Sequence, residues 1–148
     1  MQVKDIMTTE VITVHKETTI KEVARLLIEH RISGLPVVDE EKRLIGVVTE
    51  GDLIYADKKL HAPAFTEILG GVIFFENPKQ MGEDLQKMTA YKVSGIMTTE
   101  VFSVREDAAV EDAATIMVEK GINRVPVVTK DKTLVGIVSR QDIIRSMV

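Results

Sequence analysis

Two short stretches of the chain place a hydroxyl residue three positions before an aspartate. Thr49 precedes Asp52 within GVVTEGDLI, and Ser139 precedes Asp142 within GIVSRQDII. A carboxylate near a helix start can accept both hydroxyls of a ribose, and hydrogen bonds to a charged group are worth about 1.5–3 kcal/mol each. The adjoining helix N-terminus offers free N–H groups and a positive dipole end to a phosphate. Both stretches are therefore candidate sites for a sugar-phosphate ligand.

The same spacing is also typical of a helix cap, which would be worth about 0.5–2 kcal/mol. Three features favour a ligand. A capping box prefers Glu or Gln at its third helical position, whereas both stretches have Asp. Gly46 and Gly136 lie inside predicted strands, where glycine often marks the close approach of another group. Gly51 lies in a first helical turn, where its helix propensity is poor. One hydroxyl can cap a helix and contact a ligand, so both interpretations stay open.

The two stretches belong to a duplicated unit. IMTTEVITV (6–14) matches IMTTEVFSV (96–104). LPVVDEEKRLIGVVTEGDLI (35–54) matches VPVVTKDKTLVGIVSRQDII (125–144), and every matched pair lies 90 positions apart. A unit of about 56 residues is only marginally stable alone. We therefore expect two copies to pack face to face about a pseudo-two-fold axis.

This offset predicts a first repeat at 1–58, an unmatched insert at 59–92 and a second repeat at 93–148. The insert contains three of the four phenylalanines, Phe65, Phe74 and Phe75, so it is unusually apolar for a connector. Two interpretations stay open: the insert folds back as added core, or it forms an interface with a partner. Its later part, NPKQMGEDLQKM, predicts a short polar helix.

Each repeat is predicted to have the order β-α-β-β-α, which gives an α+β (α/β-like) fold. VITV (11–14) and VFSV (101–104) predict strands parallel to the next strand. Apolar residues at i, i+3, i+4, i+7 and i+8 predict an amphipathic helix in each copy. These stripes are Ile20, Val23, Ala24, Leu27 and Ile28, and Val110, Ala113, Ala114, Met117 and Val118.

Several single residues predict how these elements begin and end. Thr19 and Glu22 predict a capping box at the first helix. Gly121 predicts a left-handed end to the helix of the second repeat, and Arg31 at the matching position predicts a different ending. Proline is expected at the entrance of the strands in LPVVD and VPVVT, where a missing N–H does least harm.

Composition excludes several classes of function. The net charge of −4 argues against nucleic-acid binding by a basic face. With no cysteine and no ligand spacing among His15, His30 and His61, we expect no metal site. No apolar run approaches the roughly 20 residues that cross a bilayer, and no stretch resembles a signal peptide, so a cytoplasmic protein without membrane contact is expected. The absence of a nucleophile–base pair and of a glycine-rich phosphate loop predicts no enzyme activity.

Together these stretches resemble tandem CBS domains, named for cystathionine β-synthase, whose paired form is called a Bateman module. The resemblance rests on IMTTEV twice, on HRISGLPVVDEEKRLIGVVTEGDLI and on KGINRVPVVTKDKTLVGIVSRQDII. It implies two repeats that pack through their sheets and leave two clefts for adenosine-containing ligands. Such ligands are AMP, ADP and ATP, or NAD and S-adenosylmethionine, and the resemblance implies that the bound molecule is a regulatory ligand; no catalytic cofactor is expected.

The resemblance also implies which residues line each composite cleft. One cleft would combine Val47, Thr49 and Asp52 with Phe102, Ile122, Asn123, Arg124, Val125 and Pro126. The other would combine Ile137, Ser139, Arg140 and Asp142 with Ile12, Ile32, Ser33, Gly34, Leu35 and Pro36. Aspartate would bind ribose, the hydroxyl and Arg124 phosphate, and the aliphatic walls and backbone adenine.

Alternatives stay open for some of these residues. Arg124 could be a solvated residue at a helix exit, and the residues Ile12, Ile32, Phe102 and Ile122 could be plain core. The paired MTT segments predict packing at a helix entry or contact with the base. Because Gly34 stands where the other copy has Arg124, and Glu50 where it has Arg140, we expect the Asp52 site to bind better.

The sequence thus predicts a non-enzymatic sensor of adenine nucleotides, a homodimer that regulates an unidentified protein. The alternatives are a ligand-free dimeric scaffold for protein interaction, and a binder of NAD or S-adenosylmethionine.

Overall fold

The chain builds nearly the same series of helices and strands twice, in an α+β fold as predicted. The structure, a computed structural model, describes residues 1–57 and 91–148. The predictions for the insert and for His61 lie outside these residues, apart from Tyr91 and Lys92. The first copy contains the elements α1 (Ile20–His30), β1 (Gly34–Val38), β2 (Leu44–Thr49) and α2 (residues 50–57). The second contains β3 (Val104–Arg105), α3 (Val110–Lys120), β4 (Arg124–Val128), β5 (Leu134–Ser139) and α4 (Arg140–Ser146). Each copy begins with a short 3-10 turn, at Val3–Asp5 and at Val93–Gly95.

The strands pair as β1–β2 and as β3–β4–β5, with β3 parallel and β5 antiparallel to β4. The parallel order of β3 and β4 was predicted, but the predicted strand at 101–104 was too long. Pairing begins only at Val104, opposite Val127. The same register would bring Ser103 beside Pro126, which has no N–H to donate, so the ladder cannot extend. Within the predicted strand at 11–14 of the first copy, only Val14 forms a bridge.

Proline lies inside the strands rather than at their entrances, which corrects the prediction. Pro126 is the third residue of β4 and faces Ile137 of β5. The N–H and C=O of Ile137 bond instead to Thr8, at 2.9 and 2.8 Å. Pro126 and Ile137 therefore form a non-hydrogen-bonded pair, so the missing N–H removes no bond from the β4–β5 ladder.

Both long helices end in the same way, although the sequence predicted different endings. Gly121 has φ +64° and Arg31 has φ +53°, so both residues are left-handed. In each case the next residue bonds back to the helix, Ile32 N to Leu27 O and Ile122 N to Met117 O, both at 3.1 Å. The hydrogen-bonded turn therefore imposes the conformation even where a side chain opposes it.

The predicted capping box at α1 is only half formed. The Thr19 Oγ1 accepts from the Glu22 N–H at 3.2 Å, as expected. The Glu22 carboxylate turns away to the Arg25 side chain, which lies 3.0 Å away at Nε. The apolar stripes are confirmed except at their ends, since Ile28 and Val118 are 78% and 81% exposed.

The chain forms two compact units, and each unit takes residues from both repeats. The first unit comprises Met1–Thr13, Pro36–Gly46 and Thr99–Val148, and the second comprises Val14–Leu35 and Val47–Thr98. In the first unit, Val3 N donates to Ala108 O at 2.8 Å. In the second, Val93 N donates to Thr18 O at 2.8 Å. The opening segment of each repeat is thus exchanged into a unit with the other repeat.

The exchanged segments contribute fully buried side chains. Val3 is 0% exposed and belongs to the core of the first unit, whose other members are Val104, Val110, Ala113, Met117, Val125, Val127, Val138 and Ile143. Its counterpart Val93 is also 0% exposed. Burying such a side chain is worth about 1.5–3 kcal/mol, so each exchanged segment is anchored by its valine.

The two β-hairpin turns meet inside the first unit. Leu44 N donates to Lys132 O, and Leu134 N donates to Lys42 O, both at 2.9 Å. Lys42 and Lys132 both have positive φ, 63° and 66°. These reciprocal bonds relate the matching turns of the two repeats by a local two-fold arrangement.

Candidate functional site

The first hydroxyl–aspartate stretch lies in the second unit, where β2 passes into α2. Thr49 N donates to Asp52 Oδ2 at 2.9 Å, and Thr49 Oγ1 donates to the same oxygen at 3.1 Å. Asp52 N donates back to Thr49 Oγ1 at 3.3 Å. The two residues therefore form a reciprocal cap at the start of α2.

The second stretch repeats this geometry in the first unit, where β5 passes into α4. Ser139 N and Oγ both bond to Asp142 Oδ2, at 2.8 and 3.0 Å, and Asp142 N bonds to Ser139 Oγ at 3.2 Å. The expectation that Asp suits a capping box poorly is wrong here. The capping interpretation is confirmed for both stretches. The cap uses only Oδ2 of each aspartate, so ligand binding depends on whether Oδ1 is available.

The second oxygen differs between the two copies. Asp142 is only 7% exposed, and its Oδ1 accepts from Arg145 Nη1 at 3.3 Å. Asp52 is half-buried, and within 1–57 and 91–148 no side chain or backbone group donates to its Oδ1. The position that matches Arg145 is Tyr55, which is 64% exposed. Asp52 thus retains an acceptor that Asp142 has already used.

The helix starts offer fewer free N–H groups than the sequence predicted. Glu50 N donates to Ser33 O at 2.9 Å, and Arg140 N donates to Asn123 O at 3.0 Å. The third N–H of each helix bonds to the capping hydroxyl. In the described part of the chain, the second N–H is therefore the one left in each first turn, at Gly51 and at Gln141. A phosphate at either helix start would have this single amide to bind.

Gly136 in β5 leaves space for another segment of the chain. A Cβ at Gly136 would lie 2.6 Å from Met7 Sδ and 2.9 Å from Thr8 O. The close approach predicted at Gly136 is therefore that of the Met7–Thr8 segment. Thr8 bonds to both backbone groups of Ile137, and Thr98 bonds in the same way to Val47, at 2.9 and 2.8 Å. The two MTT segments thus lie along strands, and the backbone N–H groups of Val47 and Ile137 are already bonded.

The aliphatic candidates are of two kinds. Leu35 and Val125 are 1% and 0% exposed and are core residues. Phe102 is 45% exposed, with Lys120 Nζ 4.9 Å from its ring centre, so the core alternative does not hold for it. The residues Ile12, Ile32 and Ile122 are half-buried, Pro36 and Pro126 are buried, and Arg124 is exposed.

The units divide the candidate residues as follows. The second unit holds Ile32, Ser33, Gly34, Leu35, Val47, Thr49 and Asp52. The first unit holds Ile12, Pro36, Phe102, Ile122, Asn123, Arg124, Val125, Pro126, Ile137, Ser139, Arg140 and Asp142. Inside the second unit, a Cβ at Gly34 would lie 3.2 Å from Thr49 Cγ2. Inside the first, Arg124 faces Ser139 across the β4–β5 ladder. The sequence patterns did not single out Arg145, because an exposed arginine near a helix end carries no local signal.

Two negative findings apply to the described residues. Residues 1–57 and 91–148 contain no group of three His, Cys, Asp or Glu side chains that could hold a metal ion. Over the same ranges, every helix is too short or too polar to cross a bilayer.

Comparison with known sequences settles the family. A sequence model of the CBS domain matches residues 3–59 and again residues 93–148. The chain belongs to the CBS domain family. The uncharacterised protein MJ1426 of Methanocaldococcus jannaschii is 30% identical, over the whole of this chain and 92% of its own length.

Solved CBS-pair structures share the fold. CBSX2, from Arabidopsis thaliana, was crystallised in complex with AMP and matches this CBS pair with a TM-score of 0.74 and 28% identity, over 99% of this chain and 95% of that one. The CBS domain pair of protein MJ0100, in complex with 5′-methylthioadenosine and S-adenosyl-L-methionine, matches with a TM-score of 0.68 and 32% identity, again over 99% and 95%. The ligands named for these two relatives all contain adenosine.

Proposed function

We propose that this CBS pair is a non-enzymatic regulatory module that binds an adenosine-containing ligand, with AMP, ADP or ATP preferred over NAD and S-adenosylmethionine. The observation that carries the proposal is the fixed carboxylate of Asp52. Thr49 holds one of its oxygens, and the other accepts no bond from the described residues. A carboxylate held in one orientation loses little conformational freedom when it accepts a ribose hydroxyl.

The start of α2 suits the phosphate of such a ligand. The amide of Gly51 is the remaining N–H in the first turn of α2, and the helix dipole adds positive potential for a phosphate there. A Cβ at Gly51 would meet only Thr49 Oγ1, at 3.6 Å, so the space beside this amide is open. The assignment of the other candidate residues to two composite clefts stays a prediction.

The relatives support the adenosine part of this proposal more strongly than the choice of phosphate. AMP differs from 5′-methylthioadenosine and S-adenosylmethionine at the 5′ position, whereas adenine and ribose are common to all three. A carboxylate that binds the ribose hydroxyls would serve each of them. The 5′ group must therefore be selected by other residues, for which exposed Arg124 is our candidate.

Calorimetry of the purified protein tests the proposal. AMP, ADP, ATP, NAD and S-adenosylmethionine are titrated into wild type, Asp52→Asn and Asp142→Asn. We expect at least one ligand to bind, and Asp52→Asn to weaken it at least tenfold, since it removes the charge that the hydroxyls bind. Asp142→Asn removes the matching capping carboxylate and should weaken binding less, because Arg145 already bonds to its second oxygen. The absence of heat from every ligand at millimolar concentration would leave the scaffold alternative standing.

The homodimer is proposed on separate evidence. Two matched pairs of aliphatic side chains are exposed on the helices, Ile28 with Val118 and Ile54 with Ile144, at 61–81% exposure. Burying large apolar side chains against a second copy would remove them from water. Sedimentation of wild type and of an Ile28→Glu, Val118→Glu double variant tests this, and a monomeric wild type contradicts it. We also propose that this protein regulates another protein and that both are cytoplasmic.

A further inference from the structure

Arg145 sets the two copies of the duplicated stretch apart. Its Nη1 lies 3.3 Å from Asp142 Oδ1, and its side chain is 73% exposed while that of Asp142 is 8% exposed. The guanidinium therefore lies on the solvent side of a nearly buried carboxylate. The matching position in the first copy is Tyr55, which brings no positive charge to Asp52.

The consequence for Asp142 is that both carboxylate oxygens are hydrogen-bonded. Ser139 takes Oδ2 through its N–H and its hydroxyl, and Arg145 takes Oδ1. A diol that approaches Asp142 must displace Arg145 before it can bind Oδ1. At Asp52 the equivalent oxygen receives no bond from the part of the chain described.

We propose that Arg145 is a specificity-determining residue that makes the Asp142 copy the weaker of the two, so that ligand binds first at Asp52. This inference rests on the proposed function, since it ranks two copies of the same site. Loss of an exposed ion pair such as Arg145–Asp142 should change the ligand affinity at Asp142 by only about two- to fivefold. It therefore biases the order of occupancy without abolishing binding at Asp142.

Arg145 has a second conceivable role, in which it binds the phosphate of the ligand instead of Asp142. A guanidinium binds phosphate as readily as carboxylate. If Arg145 left Asp142 to bind the phosphate of the ligand, its removal would weaken binding. Replacing Arg145 should raise AMP affinity if Arg145 competes with the ligand for Asp142. It should lower AMP affinity if Arg145 binds the phosphate.

The experiment exchanges the residues between the two copies and measures AMP affinity by calorimetry. Arg145→Tyr is made in an Asp52→Asn background, which isolates the Asp142 copy. Tyr55→Arg is made in an Asp142→Asn background, which isolates the Asp52 copy. We expect AMP affinity to rise about two- to fivefold in the first case and to fall by a similar factor in the second. Arg145→Gln is a second variant that removes the charge without adding a ring.

The control is Arg105→Gln, which breaks another exposed ion pair, Arg105–Asp107 at 3.5 Å, and should leave AMP affinity unchanged. Circular dichroism confirms that each variant is folded. Unchanged or weaker affinity in folded Arg145→Tyr and Arg145→Gln overturns the inference while the proposed function stands. If wild type fails to bind AMP and every other adenosine ligand, both fall together.

Discussion

Met7 lies so close to Gly136 that any side chain there would collide with it. A Cβ at position 136 would be 2.6 Å from Met7 Sδ and 3.0 Å from Met7 Cγ. Both residues belong to the first unit, and they bring the exchanged N-terminal segment against β5 beside Ile137. The contact shows why glycine is required in this strand.

Gly136→Ala should destabilise the protein by about 1–3 kcal/mol, the usual cost of overpacking. Part of the loss should be recovered in the Met7→Ala background, because the methionine side chain is one of the two obstacles. The other is the backbone oxygen of Thr8, which no substitution removes. Urea unfolding of the single and double variants measures the coupling, and purely additive losses would contradict the contact.

Gly51→Ala should stabilise the protein by about 0.5–1 kcal/mol, since alanine has the better helix propensity. The added methyl group would meet only Thr49 Oγ1, at an ordinary 3.6 Å. Urea unfolding is again the measurement. A decrease in stability would mean that the start of α2 is more crowded than described. If the proposed ligand lies against the Gly51 amide, its affinity should fall in the same variant, which calorimetry would detect.

Arg31→Gly should stabilise the protein by about 1 kcal/mol, because Arg31 holds φ +53° at the end of α1. Gly121→Ala is the matched variant at the end of α3, where φ is +64°, and it should destabilise by a similar amount. Thermal unfolding compares the two. Changes of the same sign would show that the two helix ends are not equivalent.

Asp39 should titrate below the ordinary range of an aspartate. The backbone N–H of Arg43 is the largest cause of its lowered pKa, followed among the favourable causes by the Arg43 side chain and the Glu41 N–H. A carboxyl group with a lowered folded pKa contributes stability above its unfolded pKa, and this contribution is lost as pH falls through the folded value. NMR titration should show part of the lowering of the Asp39 pKa preserved in Arg43→Ala, which keeps the N–H. Complete loss of the shift would assign it to the guanidinium.

Local patterns predicted local features well. The repeat offset, the helix stripes around Val23 and Ala113, and the left-handed Gly121 all follow from residue types at fixed spacing. The left-handed Arg31 could not be predicted in this way, because its conformation follows from the turn that its neighbours close.

The candidate site was predicted only to the level of residue types. The spacing identified Thr49 with Asp52 and Ser139 with Asp142, and it left both a cap and a ligand possible. Which carboxylate oxygen remains available depends on Arg145, whose orientation toward Asp142 is a tertiary property. The exchange of Val3 into the first unit is also non-local, since it pairs residues about a hundred positions apart.

That exchange determines when each unit can be completed during synthesis. Helix α1 leaves the ribosome long before Val93, whose N–H bonds to Thr18 and whose side chain is fully buried. The first repeat must therefore wait, with part of its apolar surface uncovered, until the whole insert has been translated. Until then the exposed apolar surface makes the nascent chain prone to aggregation.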